Sequence, residues 1–358
     1  MPTTSEALTS IRIERVPHSR IEDVDFANVP FSSVFSDHMF TAEFRDGHWG
    51  EGLIQPYGPI SVSPSISALH YGISVFEGMK AYRSSNGRPL LFRPKENARR
   101  LKRSAARLAM PTVPESMFLD AVRELVRLDQ AWIPPADLGA MYIRPILFSI
   151  DPSLRVKPAD SCRFMVLTFP FGEYFAAPLD VLVSERYVRA FPGGTGETKP
   201  AGNYGATLLA DQEAHEAGFD AVLWLDAQER SYVEESGVMN VFFVLRNQVV
   251  TPSLSGTILP GITRNSVITL LRDMGYRVEE NRISIEEVFE CHGRGDLLEC
   301  FGTGTAATVS HVRCIRYRDR TLELPSVEQR KVGPRVREKL LAVMAGQESD
   351  PRGWVEEV

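Results

Sequence analysis

The order of the apolar segments is the feature that most constrains the fold of this chain. VFEGMKAYR (75–83) alternates in the manner of a strand, whereas RPKENARRLKRSAARLAMP (93–111) repeats apolar residues every three or four positions, as an amphipathic helix does. Such segments follow one another without a regular strand–helix–strand repeat. We therefore expect an α/β fold of the α+β type, and not a doubly wound parallel sheet.

Turn and capping residues locate further elements. SSNGRP (84–89) predicts the turn of a β-hairpin after the first strand. Asn203 is expected to cap a helix through YGATLLADQEAHEA (204–217), and Gly218 is expected to end that helix in the left-handed conformation. Gly275 is expected to end a later helix in the same way. Further helices are predicted at 114–132 and 261–275, and strands at 139–150, 163–171, 219–226 and 238–245.

A chain of 358 residues is longer than one average domain, so two domains are expected. Glycine, proline and polar residues become frequent from about 172 to 200, which indicates the junction. We predict a smaller N-terminal α/β domain over 1–171, a linker over 172–190, and a larger C-terminal α/β domain over 191–358.

Composition restricts the possible partners. The chain is 43% hydrophobic and 24% charged, as in ordinary soluble globular proteins, and its net charge of −6 argues against nucleic acid or an anionic membrane as a partner. No apolar run approaches the roughly 20 residues of a membrane helix. The four cysteines and seven histidines show no metal-binding spacing. We expect a cytoplasmic protein, without a metal, that acts on or binds a small molecule.

GGTGETKPAGNYGATLLA (193–210) contains one lysine, Lys199, among glycines. Pro200 biases Lys199 away from helical geometry, and the glycines permit close approach of the backbone to a ligand. Lysine forms Schiff bases with aldehydes when its amine can act as a nucleophile. For a lysine taken alone, a solvated loop position is the ordinary interpretation.

Three other segments indicate an anion and a carboxylate. In LPGITRNS (259–266) the N–H groups of Ile262 and Thr263 lie at a helix start, where phosphate groups bind, although simple capping would explain the same residues. FGTGTAATV (301–309) is a turn of small residues suited to an anion nest. YVEESGVMNVFFV (232–244) carries Glu234 and Glu235. A lysine, two phosphate sites and a carboxylate together indicate pyridoxal 5'-phosphate.

Several segments, in order, resemble the branched-chain amino acid aminotransferases, which are fold-type IV pyridoxal-phosphate enzymes. The resemblance runs from VFSDHMF (34–40) to TVSHV (308–312) and includes LHYGISVFEGMKAYR, LFRPKENARRLKRSAARLAMP, ETKPAGNYGATLLA, EESGVMNVFFV, ILPGITRNSV and CFGTGTAATVSHV. It implies a two-domain architecture and a ping-pong transamination. In that reaction Leu, Ile or Val passes its amino group to 2-oxoglutarate, which yields a branched-chain 2-oxo acid and glutamate.

The resemblance also implies cofactor roles for individual residues. Lys199 would form the internal aldimine and then move the proton between the substrate α-carbon and the cofactor. Tyr204 would hydrogen-bond the phenolate oxygen, and Glu235 rather than Glu234 would pair with the pyridine nitrogen. The residues implied for the phosphate are Arg100, Ile262, Thr263 and Thr305.

Substrate roles follow from the same resemblance, although core packing is the ordinary interpretation of each aromatic residue. Tyr71, Thr305 and Ala306 would receive the α-carboxylate, and Arg144 would accommodate the side chain of glutamate. Leu154 and Val156 would reach into the neighbouring subunit of an obligate homodimer. The walls of the pocket would be Phe35, Tyr71, Phe76, Tyr142 and Tyr174.

Two departures and two alternatives accompany this interpretation. Ala307 and Ser310 stand where animal members carry a redox-sensitive cysteine pair, and Val238 replaces a threonine of some members.

A lyase or a D-amino acid aminotransferase would share the lysine and the phosphate site. A binding or scaffold protein without chemistry is the alternative from another class, but the presence of Lys199, Glu235, Arg100 and Tyr204 argues against it.

Overall fold

The computed structural model describes residues 10–172, 174, 175 and 177–358. The chain divides into two compact units. The first contains the residues up to Tyr174 together with Lys199–Gly202 and Ala342–Val358, and the second contains Phe175–Thr198 and Asn203–Leu341. This division differs from the predicted one because Lys199 and the C-terminal residues belong to the first unit.

The first unit is built on a ten-stranded sheet of the described residues. Its strands are β1 Ile11–Ile13, β2 His38–Arg45, β3 His48–Trp49, β4 Gly52–Pro56, β5 Ser74–Phe76, β6 Met79–Arg83, β7 Pro89–Phe92, β8 Ala140–Ser149 and β9 Cys162–Phe171, together with the C-terminal strand Val355–Glu357. All pairings are antiparallel except β1–β4, and the C-terminal strand pairs with β7 at one end of the sheet. The predicted hairpin is confirmed as the pair β6–β7.

Helices cover this sheet and complete its core. They are α1 Ser67–Tyr71, α2 Pro94–Arg107 and α3 Glu115–Leu128, with 3₁₀ turns at Ile21–Asp23 and Gln130–Trp132. Phe118 and Leu125 of α3 pack with Phe164 of β9 in the core. α2 begins with Pro94, which suits the first helical turn because it needs no N–H acceptor there. The helix ends at Arg107, four residues before Pro111.

The second unit contains a nine-stranded mixed sheet within its described residues. Its strands are β10 Leu179–Val183, β11 Ala221–Leu225, β12 Val233–Ser236, β13 Met239–Leu245, β14 Gln248–Thr251, β15 Val278–Glu280, β16 Leu297–Gly304, β17 Thr308–Tyr317 and β18 Arg320–Glu323. Six of these strands pair in the order β12–β11–β10–β17–β16–β13, and β13 pairs with β12 again. These six strands therefore form a closed ring without an open edge.

The helices of the second unit test three capping predictions. Gly218 and Gly275 adopt φ values of 84° and 85°, as expected after helix ends. The prediction for Asn203 was wrong, because a short helix precedes the longer one and Thr207 occupies its N-cap position. The helices that lie wholly or mostly in this unit are α4 Gly202–Gly205, α5 Leu208–Glu216, α6 Ile262–Asp273, α7 Ile285–Gly293 and α8 Gly333–Met344, with a 3₁₀ turn at Val327–Gln329.

The mixed α/β architecture is therefore confirmed. In the part of the chain that the structure describes, none of the helices combines the length and the apolar character that crossing a membrane requires.

Candidate active site

Lys199 is fixed to the first unit through its backbone. Its carbonyl accepts a hydrogen bond from Phe76 N at 3.1 Å, and its own N–H donates to Ser104 Oγ at 3.0 Å. Pro200 forms an isolated antiparallel bridge with Val75, and Ala201 N donates to the carbonyl of Ser74 at 3.0 Å. The backbone of Lys199 is thus held between the edge of β5 and the buried face of α2. These contacts explain how a glycine-rich loop can fix the position of one amine.

The Lys199 amine lies in an environment that disfavours its charge. Nζ is 4.6 Å from the centroid of the Phe76 ring. Desolvation, and then the positive charge of Arg100, lower the pKa of Lys199 to about 8, while Glu77 acts in the opposite direction. A larger share of the amine is therefore neutral near pH 7 than for an ordinary lysine, which is the form that attacks an aldehyde.

Arg100 projects from α2 into a buried ion pair. Its Nε donates to Glu77 Oε1 at 2.7 Å and its Nη2 donates to Glu77 Oε2 at 2.8 Å. Asn97, one turn earlier on α2, donates from Nδ2 to Glu77 Oε2 at 2.8 Å and to the Gly78 carbonyl at 3.1 Å. Glu77 is fully buried, and Arg100 is 4% exposed.

Phe76, Tyr142 and Arg144 form the other side of this cluster. The Arg144 guanidinium lies 4.6 Å from the Phe76 ring centroid and 5.3 Å from that of Tyr142, and Nη2 donates to Tyr142 Oη at 3.3 Å. Arg144 Nε is buried without a hydrogen-bond partner. A Cβ on Gly78 would stand 2.0 Å from Tyr142 Oη, so glycine is required for this close approach.

Phe35, Tyr142 and Tyr174 are connected by two further aromatic residues. Phe31 contacts Tyr142 and Tyr174 edge-on, with centroids 5.2 and 5.0 Å away. Phe169 stacks on Tyr142 at 5.0 Å and meets Phe35 at 5.3 Å. The structure therefore brings these predicted wall residues into one aromatic cluster, which Phe31 and Phe169 complete.

Tyr71, Leu154 and Val156 form a second group at the surface. The hydroxyl of Tyr71 donates to the carbonyl of Leu154. Their exposed fractions are 42%, 60% and 82% for Tyr71, Leu154 and Val156. Large apolar side chains that are exposed together are typical of a surface that another protein covers.

In the second unit, Glu235 is a buried carboxylate on β12. Its Oε1 accepts from Leu259 N at 2.7 Å and lies 3.2 Å from Nη2 of Arg189. Its neighbour Glu234 accepts from the Thr257 hydroxyl, but its other oxygen is buried without a partner. Burial raises the pKa of Glu234. Burial therefore favours the neutral acid at Glu234, whereas Glu235 is paired with a cation.

The segment before α6 is held by the β12–β13 hairpin. Glu235 pairs with Asn240 in register, and Asn240 Nδ2 donates to the Leu259 carbonyl at 3.0 Å. A Cβ on Gly261 would stand 2.1 Å from Asn240 Oδ1. Because α6 begins at Ile262, the N–H groups of Ile262 and Thr263 belong to its first turn, where backbone N–H groups have no acceptor within the helix.

Strand register brings the remaining candidates of this unit to one end of the sheet. Asn240 lies opposite Thr303, and Thr303 lies opposite Val309. Thr305 and Ala306 occupy the turn between β16 and β17, and Val238 is 49% exposed in the turn between β12 and β13. Two adjacent turns therefore carry the small residues that the sequence singled out.

Tyr204 lies in the short helix α4, immediately after the glycine-rich loop (193–201) that contains Lys199. The side chain of Asn203 holds that loop, because its Nδ2 donates to the carbonyls of Thr195 at 2.9 Å and Thr198 at 3.1 Å. Thr195 Oγ1 donates to Asn203 Oδ1 at 2.7 Å. Asn203 thus stabilises the approach to Lys199 instead of capping a helix.

Sequence reasoning missed Glu77, Asn97, Ser104 and Arg189. Glu77 stands between the apolar residues of a predicted strand, which is a signal for a buried carboxylate. The others have partners far away in the chain, so no local pattern reveals them. No group of three metal-ligating side chains occurs among the described residues, and all four cysteines are free.

Comparison with known proteins gives a consistent result. The family described as amino-transferase class IV matches residues 74–315. The chain is 43% identical over 342 residues to branched-chain-amino-acid transaminase 1 of Bacillus subtilis, covering 94% of this chain and 96% of that protein. It is 41% identical over 338 residues to the branched-chain-amino-acid aminotransferase of Mycolicibacterium smegmatis, covering 92% of each.

Solved structures agree with these relatives. The Escherichia coli branched-chain amino acid aminotransferase superimposes with a TM-score of 0.75 at 28% identity, covering 89% of this chain and 98% of that one. The T.th. enzyme of the same name, solved with N-(5'-phosphopyridoxyl)-L-glutamate, gives 0.71 at 31% identity, covering 88% and 97%. The chain therefore belongs to the class IV aminotransferases and, within them, to the branched-chain amino acid aminotransferases.

Proposed function

We propose that this protein transfers the amino group of L-leucine, L-isoleucine or L-valine to 2-oxoglutarate in a ping-pong reaction, giving a branched-chain 2-oxo acid and glutamate. Its cofactor is pyridoxal 5'-phosphate, whose phosphopyridoxyl group is present in the T.th. complex. The observation that carries the proposal is the Lys199 amine, held by backbone hydrogen bonds to Phe76 and Ser104 with a pKa lowered to about 8.

The donor set of the chain fits this cofactor. When bound, pyridoxal phosphate supplies an aldehyde for exchange of the amino group and a ring that withdraws electrons from the substrate α-carbon. Lys199 offers a desolvated amine for covalent attachment. Glu235, paired with Arg189, would hold the proton of the pyridine nitrogen. Tyr204 would donate to the phenolate oxygen.

Phosphate binding would combine a cation with backbone donors. Arg100 is a buried guanidinium that its pair with Glu77 holds in place. In the second unit, Ile262 and Thr263 would donate from the first turn of α6 and Thr305 from its turn. Such donors suit a dianion, since helix N-termini and arginine both favour negative charge.

Lys199 would also move the proton. Its Nζ would accept the proton from the substrate α-carbon and would donate it to the carbon of the bound cofactor that carries the amino group. An amine with a pKa of about 8 can do both near neutral pH, because neither protonation state is scarce.

The substrate pocket would serve two unlike side chains. Phe76 and the aromatic cluster of Phe35, Tyr142 and Tyr174 would supply apolar walls for Leu, Ile or Val. Arg144, whose Nε is buried and unpaired, would bind the second carboxylate of glutamate or 2-oxoglutarate. Thr305, Ala306 and Tyr71 would receive the α-carboxylate, and Val238 would border the side chain.

The exposed group of Tyr71, Leu154 and Val156 supports a homodimer in which Leu154 and Val156 extend into the partner's pocket. We also propose a cytoplasmic location, because the cysteines are all free.

The decisive experiment is a steady-state screen of amino donors with 2-oxoglutarate as acceptor. Activity with L-leucine, L-isoleucine and L-valine is expected. Activity with D-alanine and none with L-leucine would instead identify a D-amino acid aminotransferase. A purified protein that shows no visible absorption band after incubation with pyridoxal phosphate would contradict any aminotransferase function.

A further inference from the structure

Glu77 is a fully buried carboxylate for which the proposed chemistry has no direct use. It accepts three side-chain hydrogen bonds, two from Arg100 at 2.7 and 2.8 Å and one from Asn97 at 2.8 Å. An unpaired buried charge is costly, so a carboxylate without exposure is retained only with such partners.

The surroundings of Glu77 are rich in positive charge. Arg100 pairs with it directly, and both Lys199 and Arg144 contact the ring of the preceding residue, Phe76. After burial, which is the largest cause, the charges of Arg100 and Arg144 also lower the pKa of Lys199, whereas Glu77 and Tyr142 raise it. Three cations thus surround one short segment, and Glu77 supplies the carboxylate closest to Arg100.

The geometry of the pair restricts the guanidinium more than a single contact would. Two parallel hydrogen bonds fix both the position and the plane of an arginine side chain. Asn97, three residues earlier on the same helix face, holds the carboxylate and the Gly78 carbonyl at once. Glu77 cannot rotate away from Arg100 without breaking this second attachment.

We propose that Glu77 is a positioning residue that holds Arg100 in the orientation required to bind the phosphate of the cofactor. The inference rests on the proposed function, in which Arg100 binds phosphate. Glu77 itself touches neither phosphate nor substrate in this proposal. It presets a buried cation that would otherwise turn toward other acceptors, so phosphate meets a guanidinium that is already oriented.

The test separates the phosphate from the rest of the cofactor. Dissociation constants of the cofactor-free protein are measured by absorbance titration for pyridoxal 5'-phosphate and for pyridoxal, which lacks the phosphate, and by calorimetry for inorganic phosphate. Glu77→Gln keeps an acceptor for Asn97 but removes the charge. We expect at least about tenfold weaker binding of pyridoxal phosphate and phosphate, but no loss of affinity for pyridoxal, because loss of the Glu77 charge favours the neutral amine of Lys199.

Coupling to Arg100 is tested by a double-mutant cycle. In an Arg100→Ala background, Glu77→Gln is expected to change phosphate affinity no further, because the residue it positions is gone. Glu43→Gln is the matched control, since Glu43 also accepts two hydrogen bonds from one arginine, Arg163, in the same sheet. That variant is expected to bind all three compounds as the wild type does.

Each outcome decides the question. Equal losses for pyridoxal and pyridoxal phosphate, additive effects in the cycle, or unchanged or tighter phosphate binding would overturn the positioning role. If Glu77→Gln does not fold, Glu77→Asp, which keeps the charge but withdraws it from Arg100, is expected to show a smaller loss with the same selectivity. Failure of the wild-type protein to bind pyridoxal phosphate would refute the proposed function instead.

Discussion

Ser104, buried on α2, accepts the backbone N–H of Lys199 at 3.0 Å and so attaches the reactive lysine to the helix that also carries Arg100. The Ser104 hydroxyl supplies the hydrogen-bond acceptor that the backbone N–H of Lys199 would otherwise need from a neighbouring strand. One helix therefore sets the position of two groups that the proposed chemistry requires.

Ser104→Ala is predicted to remove this attachment without creating a large cavity. The buried N–H of Lys199 would lose its acceptor, which destabilises the fold by about 1 kcal/mol and loosens the amine. We expect a several-fold lower kcat and slower incorporation of cofactor, measured by the growth of its visible band. Ser116→Ala, at an exposed position of α3, is the control and should change neither.

Lys199→Ala is predicted to abolish turnover, because no other amine would carry the cofactor. Borohydride reduction of the wild-type holoenzyme followed by peptide mapping should place the label on Lys199. A variant that retained wild-type rates, or a label on another lysine, would contradict the assignment.

Arg100→Ala should instead weaken cofactor retention while leaving the covalent linkage to Lys199 in place.

Part of the fold follows from local patterns, which explains why the β6–β7 hairpin, the strands β8, β9, β11 and β13 and the glycines at helix ends were predicted from the sequence. The position of Lys199 was not, because a loop that pairs with β5 depends on contacts between residues more than a hundred positions apart. The same holds for Ser104 and Arg189. Asn203 illustrates the opposite error, since a good capping residue found stronger partners in the preceding loop.

The lowered pKa of Lys199 predicts a specific pH dependence. In the cofactor-free enzyme, the rate of reaction with an aldehyde at Lys199 should rise with pH and level off above about pH 8, whereas an ordinary lysine would still be mostly protonated there. The unfolded chain keeps this proton to higher pH, so the contribution of this group to stability increases between about pH 8 and the ordinary lysine value. Rates measured for Lys199→Ala provide the background, and a midpoint near the ordinary lysine pKa would contradict the assigned environment.

Gly78→Ala is predicted to impair the acceptor half-reaction more than the donor half-reaction. The added Cβ would stand 2.0 Å from Tyr142 Oη, so the tyrosine must move and its hydrogen bond with Arg144 would be lost. If Arg144 binds the second carboxylate, kcat/KM for 2-oxoglutarate should fall at least about tenfold, with a smaller change for L-leucine. Single-turnover kinetics of each half-reaction measure the two values separately.

Gly58→Ala is the matched control, because its Cβ would meet no atom within 4 Å. Equal losses in both half-reactions would show that the substitution damages the shared cofactor site and would remove the selective role of Tyr142 and Arg144.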